Sequence, residues 1–428
     1  MTQRYDKYKD SGVQWLGDIP GHWECVPIRR IAYVNPTRTK NLDIDSYVGY
    51  APMERIRCDN MNPSKIKVSK LTSGLTYCEE GDIVLAKVTP CFENGNLAIV
   101  PQVEQGCCYA SSELFVYRAK GKVMPRFLLY TFLNRGFINA GASTMRGTGG
   151  LKRVTTEFAN SAATPLPPLS EQRSIVSFLD AKCGMIDEWV TKKQKEVEHL
   201  QELKQRVIAD AVTRGLNPHV KMKATNIPWL KEIPEHWENK RLAAMFTDDI
   251  ETNKDFQYKR AFKFNYGCLV PKNEIGDPEE YRVVYVKYSI VNTGDILING
   301  LNLNYDFISQ RVACAPSDGI ITSAYVVCRP RPNVSYDYYT YLFKAMDSMK
   351  LFHGMGTGIR LTLSFKELKK QLLPVPPLSE QKQIVSYLDA KCSKIDKLIA
   401  NITKEIECIK EYKQRLISDV VIGQIKVC

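Results

Sequence analysis

Two glycine-rich segments set flexible backbone beside cations. Ser143–Arg153 reads STMRGTGGLKR and carries Arg146, Gly147, Thr148, Lys152 and Arg153. His353–Leu361 reads HGMGTGIRL and carries Gly356, Thr357 and Arg360. Glycine lets main-chain amides come close to an anion, and flanking arginines and lysines add charge-assisted bonds, so these segments suit the gripping of phosphate. They suit equally a plain linker into the next element. Lys87, ahead of an Asn94-Gly95 turn, is a further candidate for a surface facing a polyanion.

Residues for making or breaking bonds are not grouped in this way. The chain has no GxxxxGK[ST] loop, no GxGxxG after a strand, no HExxH and no Asn-Pro-Pro-aromatic or Asp-Pro-Pro-Tyr run. Asp277-Pro278 with Glu279, Glu280 and Lys287 could be forced into a nuclease carboxylate set. Its spacing is loose and the other half of the chain has no counterpart. Thirteen cysteines are scattered without a CxxC pair, and Cys107 and Cys108 are adjacent, which suits neither a disulfide nor tetrahedral zinc. We therefore expect reduced thiols, no metal site and no catalytic residue.

The elements that position the candidate residues follow from an internal repeat. Pro165–Cys183 (PLPPLSEQRSIVSFLDAKC) and Pro374–Cys392 (PVPPLSEQKQIVSYLDAKC) match at fifteen of nineteen positions, 209 residues apart. Trp15–Trp23 (WLGDIPGHW) and Trp229–Trp237 (WLKEIPEHW) match at an offset of 214. The tryptophans, with His22 and His236, read as anchors of an N-terminal strap on each half. Between these motifs the halves diverge, apart from the echo of GDIVLAK (81–87) in GDILING (294–300) and the two GTG triplets.

Each PPLSEQ opens a long helix, with Ser170 and Ser379 as expected N-caps. An apolar period of seven follows. The first seam is Val176, Leu179, Ile186, Val190, Val197, Leu200 and Val207, and the second is Val385, Leu388, Ile395, Ile399, Ile402, Ile406, Ile409 and Leu416. Cys183 and Cys392 fall in register, and Lys193, Lys204 and Lys413 interrupt it. This is a coiled-coil stripe. Chain order makes the paired helices antiparallel. A helix of some 44 residues reaches roughly 66 Å, longer than a lobe of this size is wide. The expected fold is α+β: two α/β lobes separated by a long antiparallel two-helix coiled coil, a dumbbell with pseudo-twofold repeat. The boundaries are 1–168 and 218–377 for the lobes, 169–217 and 378–428 for the helical regions. Within the lobes, the strands expected are 83–85, Leu114–Val116, Tyr281–Val286, 296–298 and Ala324–Val327. The helices expected are Pro125–Asn134 and Tyr336–Met346.

The 428-residue chain is 44% hydrophobic and 25% charged, a globular composition large enough for two or three domains. No run of about 18 apolar residues is present and Met1–Asp10 is polar, so a cytoplasmic protein without a membrane segment is expected. The net charge of +12 is not spread evenly. Residues 1–169 carry 21 basic and 15 acidic side chains, residues 214–378 carry 22 and 17, and the two helices cancel. Two basic lobes on a neutral spacer fit duplex DNA, with phosphate contacts supplying affinity and side chains reading bases.

PLPPLSEQ-x-x-IV-x-x-LD at the entry of two long helices, WL-x-x-IP-x-HW opening each half and the GD-[IL]-L strand together resemble the specificity subunit of type I restriction–modification enzymes. The resemblance covers essentially the whole chain. It implies two target-recognition domains, each reading one part of a split DNA sequence, with the helices as the ruler for the gap. It also implies two docked methyltransferase subunits that use S-adenosylmethionine, and restriction subunits that translocate DNA with ATP and Mg. Both cofactors then belong to partners, and no small-molecule substrate is expected. Two other readings are a coiled-coil protein scaffold and an autonomous DNA methyltransferase or nuclease with a divergent site. The lobe-confined charge argues against the first and the absent motifs against the second.

Overall fold

The computed structural model describes residues 4–272, 277–358 and 361–427. The chain divides into two compact units, Met1–Lys193 with Lys404–Cys428, and Gln194–Thr403. Each is taken in turn.

In the first unit, two short antiparallel pairs form the strap, Tyr8–Asp10 with Asp18–Pro20, and Glu24–Pro27 with Ala163–Leu166. Trp23 is fully buried under it. Its indole N–H donates to Glu171 Oε2 at 2.9 Å, and the Tyr5 hydroxyl and His22 ring converge on the same carboxylate. Burying an indole removes on the order of 200 Å² of surface from water, about 5 kcal/mol in gross transfer terms. A hydrogen bond to a charged group contributes only about 1.5–3 kcal/mol. Trp23 therefore anchors the strap and Glu171 orients it. The WL-x-x-IP-x-HW and PPLSEQ motifs are thus two halves of one joint.

Behind the strap lies a four-stranded antiparallel sheet, ordered Leu97–Ile99, Ile83–Ala86, Leu114–Ala119, Ala32–Val34. Residues 83 and 85 pair with 117 and 115, sending Ile83, Leu85, Phe115 and Tyr117 into one core with the helix Pro125–Leu133. The other face, Val84, Ala86 and Val116, joins a second core under the sheet Ser64–Lys67, Tyr47–Ala51, Cys107–Ala110, Thr76–Glu79. Only the pairing of Cys107–Ala110 with Tyr47–Ala51 is parallel. Asp82, 2% exposed, accepts the Glu79 amide and the forked Arg118 guanidinium, all three bonds at 2.8 Å. The carboxylate closes the turn and docks the neighbouring strand.

The second unit repeats this frame. Trp237 donates to Glu380 beside His236. Strands Val312–Cys314, Ile296–Ile298, Val326–Pro330 and Phe246–Thr247 follow the same order. Asp295, 1% exposed, accepts the Asn292 amide and Arg329. The second sheet is here reduced to the hairpin Phe262–Asn265/Cys268–Pro271 and the pair Ser289–Val291/Gly319–Ile321. The helix Tyr336–Ser348 packs Tyr338, Tyr339, Leu342 and Phe343 into the core.

One strand expectation is overturned. Residues 278–285 are helical, as Pro278–Tyr281 and Arg282–Tyr285. Asp277 caps the Glu279 amide, Pro278 starts the turn, and the rings of Tyr281 and Tyr285 stack one helical turn apart at 5.8 Å. These local terms outweigh the β preference of Val283 and Val284, which stand exposed instead of filling a sheet.

Helices run over Leu169–Arg214 and Leu378–Val421. Both begin one residue ahead of the expected serine caps, so Ser170 and Ser379 sit inside the first turn. The following glutamine holds the entry instead: Gln172 is buried and bonds Pro167, Lys122 and the Met124 amide, and Gln381 bonds Pro376. In the first unit Ile175, Val176 and Leu179 share a core with Leu416, Ile417 and Val420, and Lys413 bonds both oxygens of Asp187 at 2.7 Å. In the second, Ile208, Ala211 and Val212 share a core with Ile384, Leu388 and Cys392, and Lys204 bonds Asp396. Within each unit the two helical stretches therefore run in opposite directions. Among the other seam residues, Ile186, Val190, Ile395, Ile402 and Ile406 are buried, while Val197, Leu200, Val207, Val385, Ile399 and Ile409 are half-buried.

Candidate nucleic-acid interface

The first lobe brings its candidate residues onto one ladder. Arg146 and Arg153 exchange backbone bonds at 3.0 and 2.9 Å, closing residues 147–152 into a loop. Gly147 has φ +143°, and a Cβ there would lie 2.4 Å from the Leu151 carbonyl, so only glycine fits the turn. The loop docks on the chain leaving the central strand: the Val154 amide donates to Lys87 O at 2.8 Å and the Thr89 amide to Lys152 O at 2.9 Å. The Thr89 hydroxyl donates to Gly150 O and accepts the Lys152 amide.

The side chains divide. Arg153 is clamped by Glu113 through two 2.8 Å bonds. The Arg153 guanidinium holds the Glu113 carboxyl below the usual carboxylate range, its own burial opposing this and Lys87 adding to it. Arg153 thus fixes the loop to the edge of strand Leu114–Ala119, and its charge is largely matched. Arg146, Thr148 and Lys152 are exposed, and Lys87, half-buried, sits with its ammonium 5.7 Å from the Phe115 ring centre. The surface this leaves is cationic, shaped by glycine and rooted in the sheet. It can hold phosphate.

In the second lobe the glycine segment is rooted in the same way. The Leu363 amide donates to Gly300 O at 2.9 Å and the Leu303 amide to Leu361 O at 3.2 Å. Thr357 and Thr362 exchange two bonds at 3.1 and 2.9 Å. Gly356 lies where a Cβ would fall 2.8 Å from Leu303 Cδ1, so the segment presses directly on that buried leucine. Thr357 is exposed and Gly356 half-buried. Arg360 lies outside the described residues. At the positions of Lys87 and Arg153 in this ladder stand Gly300 and Thr362, so the frame is kept and the side-chain chemistry changed.

The clamps on these loops were not visible in the sequence. Glu113 and Thr89 lie 40 and 63 residues from the groups they hold, and no local spacing marks them. The echo of residues 81–87 in 294–300 was the usable signal, because it places Lys87 and Gly300 at one point of a shared frame. Asp277, offered above as part of a nuclease set, is the cap of a short helix. Among the described residues there is no group of three His, Cys, Asp or Glu side chains able to hold a metal ion, and no helix long and apolar enough to cross a membrane.

The family model for the type I restriction modification DNA specificity domain matches residues 20–199 and 234–408. The EcoAI type I restriction enzyme specificity subunit of Escherichia coli is 28% identical over 288 residues, 65% of this chain. The chain spans only 46% of that subunit's length. The MjaX subunit of Methanocaldococcus jannaschii, given as a putative type I specificity subunit, is 25% identical with 96% of each chain covered. Among solved structures, a chain from a study of complex assembly and conformational transition in the type I R-M system superposes with a TM-score of 0.71 at 20% identity, covering 95% of this chain and 99% of that one. The HsdS subunit from Thermoanaerobacter tengcongensis gives 0.50 at 21% identity, with 95% and 98% covered. These likenesses fix the fold.

Proposed function

Because the chain belongs to the type I restriction–modification DNA specificity family, we propose that it is the DNA-recognition subunit of such a complex, a component that selects the target and leaves the chemistry to others. Residues 1–168 and 218–377 each read one part of a two-part duplex sequence. The helical regions 169–217 and 378–428 pair antiparallel along their length, set the gap between the two parts and, with the straps, dock two methyltransferase subunits. Restriction subunits complete the assembly. S-adenosylmethionine and ATP with Mg belong to those partners.

One observation carries this reading. Both lobes keep the same buried frame, Asp82 with Arg118 and Asp295 with Arg329, while the loop rooted in that frame bears Lys87 and Arg153 in one lobe and Gly300 and Thr362 in the other. A duplicated frame with unlike loops is what two different half-sites demand. The opposed helical stretches in each unit, with Lys413 on Asp187 and Lys204 on Asp396, support a paired spacer. In the first lobe Arg146, Lys152 and Lys87 supply phosphate contacts, Gly147 and Thr148 present the backbone, and Arg153 holds the loop. Gly356, Thr357 and Arg360 act correspondingly in the second.

Footprinting of the chain with its co-purified methyltransferase subunits tests the reading. Two protected patches separated by a fixed unprotected gap are expected. A single contiguous footprint, or none, overturns it.

A further inference from the structure

The connection Leu301–Gln310, between strands Ile296–Ile298 and Val312–Cys314, holds apolar side chains out into water on a basic lobe. Tyr305 is 77% exposed and Ile308 is 94% exposed. In the first lobe the corresponding connection, residues 87–96, is a turn with no exposed large hydrophobic residue. Isolated exposed leucines or isoleucines are ordinary, but this loop is built to present its prongs.

Its base is locked by Arg311, a fully buried guanidinium that donates to the carbonyls of Asn299 at 3.0 Å, Leu301 at 2.9 Å and Asp306 at 2.6 Å. The Arg311 amide in turn donates to Asp347 at 2.7 Å. A buried arginine whose two terminal nitrogens are bonded to main-chain carbonyls fixes the path of a loop. Leu303 plugs the loop into the core, and Phe307 stacks on His353 at 4.6 Å, tying it to the glycine segment. The Asp306 carboxylate accepts the Ile308 and Ser309 amides, forming a tight turn with Ile308 near its tip. Leu303 is therefore the anchor and Phe307, though 54% exposed, is held against His353, whereas Tyr305 and Ile308 have most of their surface in solvent.

We propose that Tyr305 and Ile308 are base-reading contacts of the second lobe, entering a groove of duplex DNA and touching thymine methyl groups or the faces of a base step. The inference rests on the reading of the chain as a DNA-specificity subunit and deepens it. Charge favours DNA as the occupant: the lobe carries five more basic than acidic residues, and the loop's one charged side chain, Asp306, faces its own turn and Arg311. Form favours it too. A narrow loop with Tyr305 and Ile308 projecting and Phe307 stacked at its side, rooted beside the glycine segment, matches apolar contact with base edges or partial unstacking, whereas a protein interface of ordinary stability needs a broad face.

The test uses the full chain with its co-purified methyltransferase subunits and a randomised duplex library, with bound molecules selected and sequenced for the wild type, Ile308→Ser, Tyr305→Ser and Ile308→Leu. For the serine variants one half of the selected motif should lose information at one to three positions while the other half is unchanged. Affinity for the wild-type consensus should fall tenfold or more, with the salt dependence unaltered because no phosphate contact is removed. Ile308→Leu should recover most of the affinity. Thermal melts matching the wild type are expected, since both side chains are exposed. An unchanged motif with affinity within twofold overturns the inference, as does loss of the methyltransferase subunits with the motif intact. Failure of the wild type to select any two-part motif overturns the underlying functional reading instead.

Discussion

At the scale of single residues, the two lobes are held by a few buried carboxylates whose partners lie far away in the chain. Asp82 is the clearest. Removing it leaves the Arg118 guanidinium without its forked partner and the Glu79 amide unpaired, in surroundings where Asp82 itself is 2% exposed. Breaking such a pair costs about 3–5 kcal/mol. Arg118 keeps some access to water and the Glu79 carboxylate at 3.1 Å, and so Asp82→Ala is expected near the lower bound, about 3 kcal/mol, read by urea denaturation as earlier unfolding of the first unit alone. Asp295→Ala should do the same to the second. Glu171 has a pH signature. Burial opposes its ionisation, but hydrogen bonds from Trp23, His22 and Tyr5 outweigh burial and hold its carboxyl below the ordinary value of 4.5. Its contribution is therefore complete above the unfolded value and is lost as pH falls through the lower folded one. The stability difference between wild type and Glu171→Gln should be constant near neutrality and narrow below about pH 4.5. A difference that stays constant down to pH 3 would show that the strap is held by Trp23 burial alone.

At the scale of elements, the long helices were legible because a period of seven runs through both repeats and no proline interrupts it. The strands after Gly81-Asp82 and Gly294-Asp295 were legible because a turn residue precedes a short apolar run. The caps were not: a serine before Glu-Gln looks like an N-cap, yet proline geometry starts the helix earlier and a buried glutamine takes over the carbonyls. The helical stretch 278–285 was missed because Asp277, which caps its first segment Pro278–Tyr281, lies outside the apolar run that suggested a strand. The joint between strap and helix entry was hidden by unequal offsets, 214 and 209, which made two halves of one contact read as separate motifs. The first helix also contains a weak point. Gly184 has a helical backbone, and a Cβ added there would meet nothing within 4 Å. Gly184→Ala should stabilise the first unit by about 0.5–1 kcal/mol, measured as a higher urea midpoint with an unchanged slope.

At the scale of the whole molecule, the functional reading makes the helices a length standard and the lobes separable readers. Inserting one heptad into both helices adds about 10 Å, equivalent to roughly three base pairs, and methylated-adenine sequencing should report a gap widened by that amount with both half-sites retained. Exchanging residues 1–164 for the equivalent lobe of a relative should replace one half-site and spare the other, so a wholly unchanged methylation motif counts against separable lobes. The ladder rung shared by the lobes, Val154 on Lys87 and Leu363 on Gly300, has a practical corollary. It works as a socket: the backbone on the sheet side is fixed by main-chain bonds indifferent to side chains, and whatever is plugged in beyond it is free to vary. New specificities could accordingly be evolved from libraries randomised only at the exposed positions 90, 93 and 94 and within 301–310, provided that Leu303 and Asp306 are spared and Thr89, Phe92 and Arg311 are kept, with the rest of the chain serving as an inert chassis.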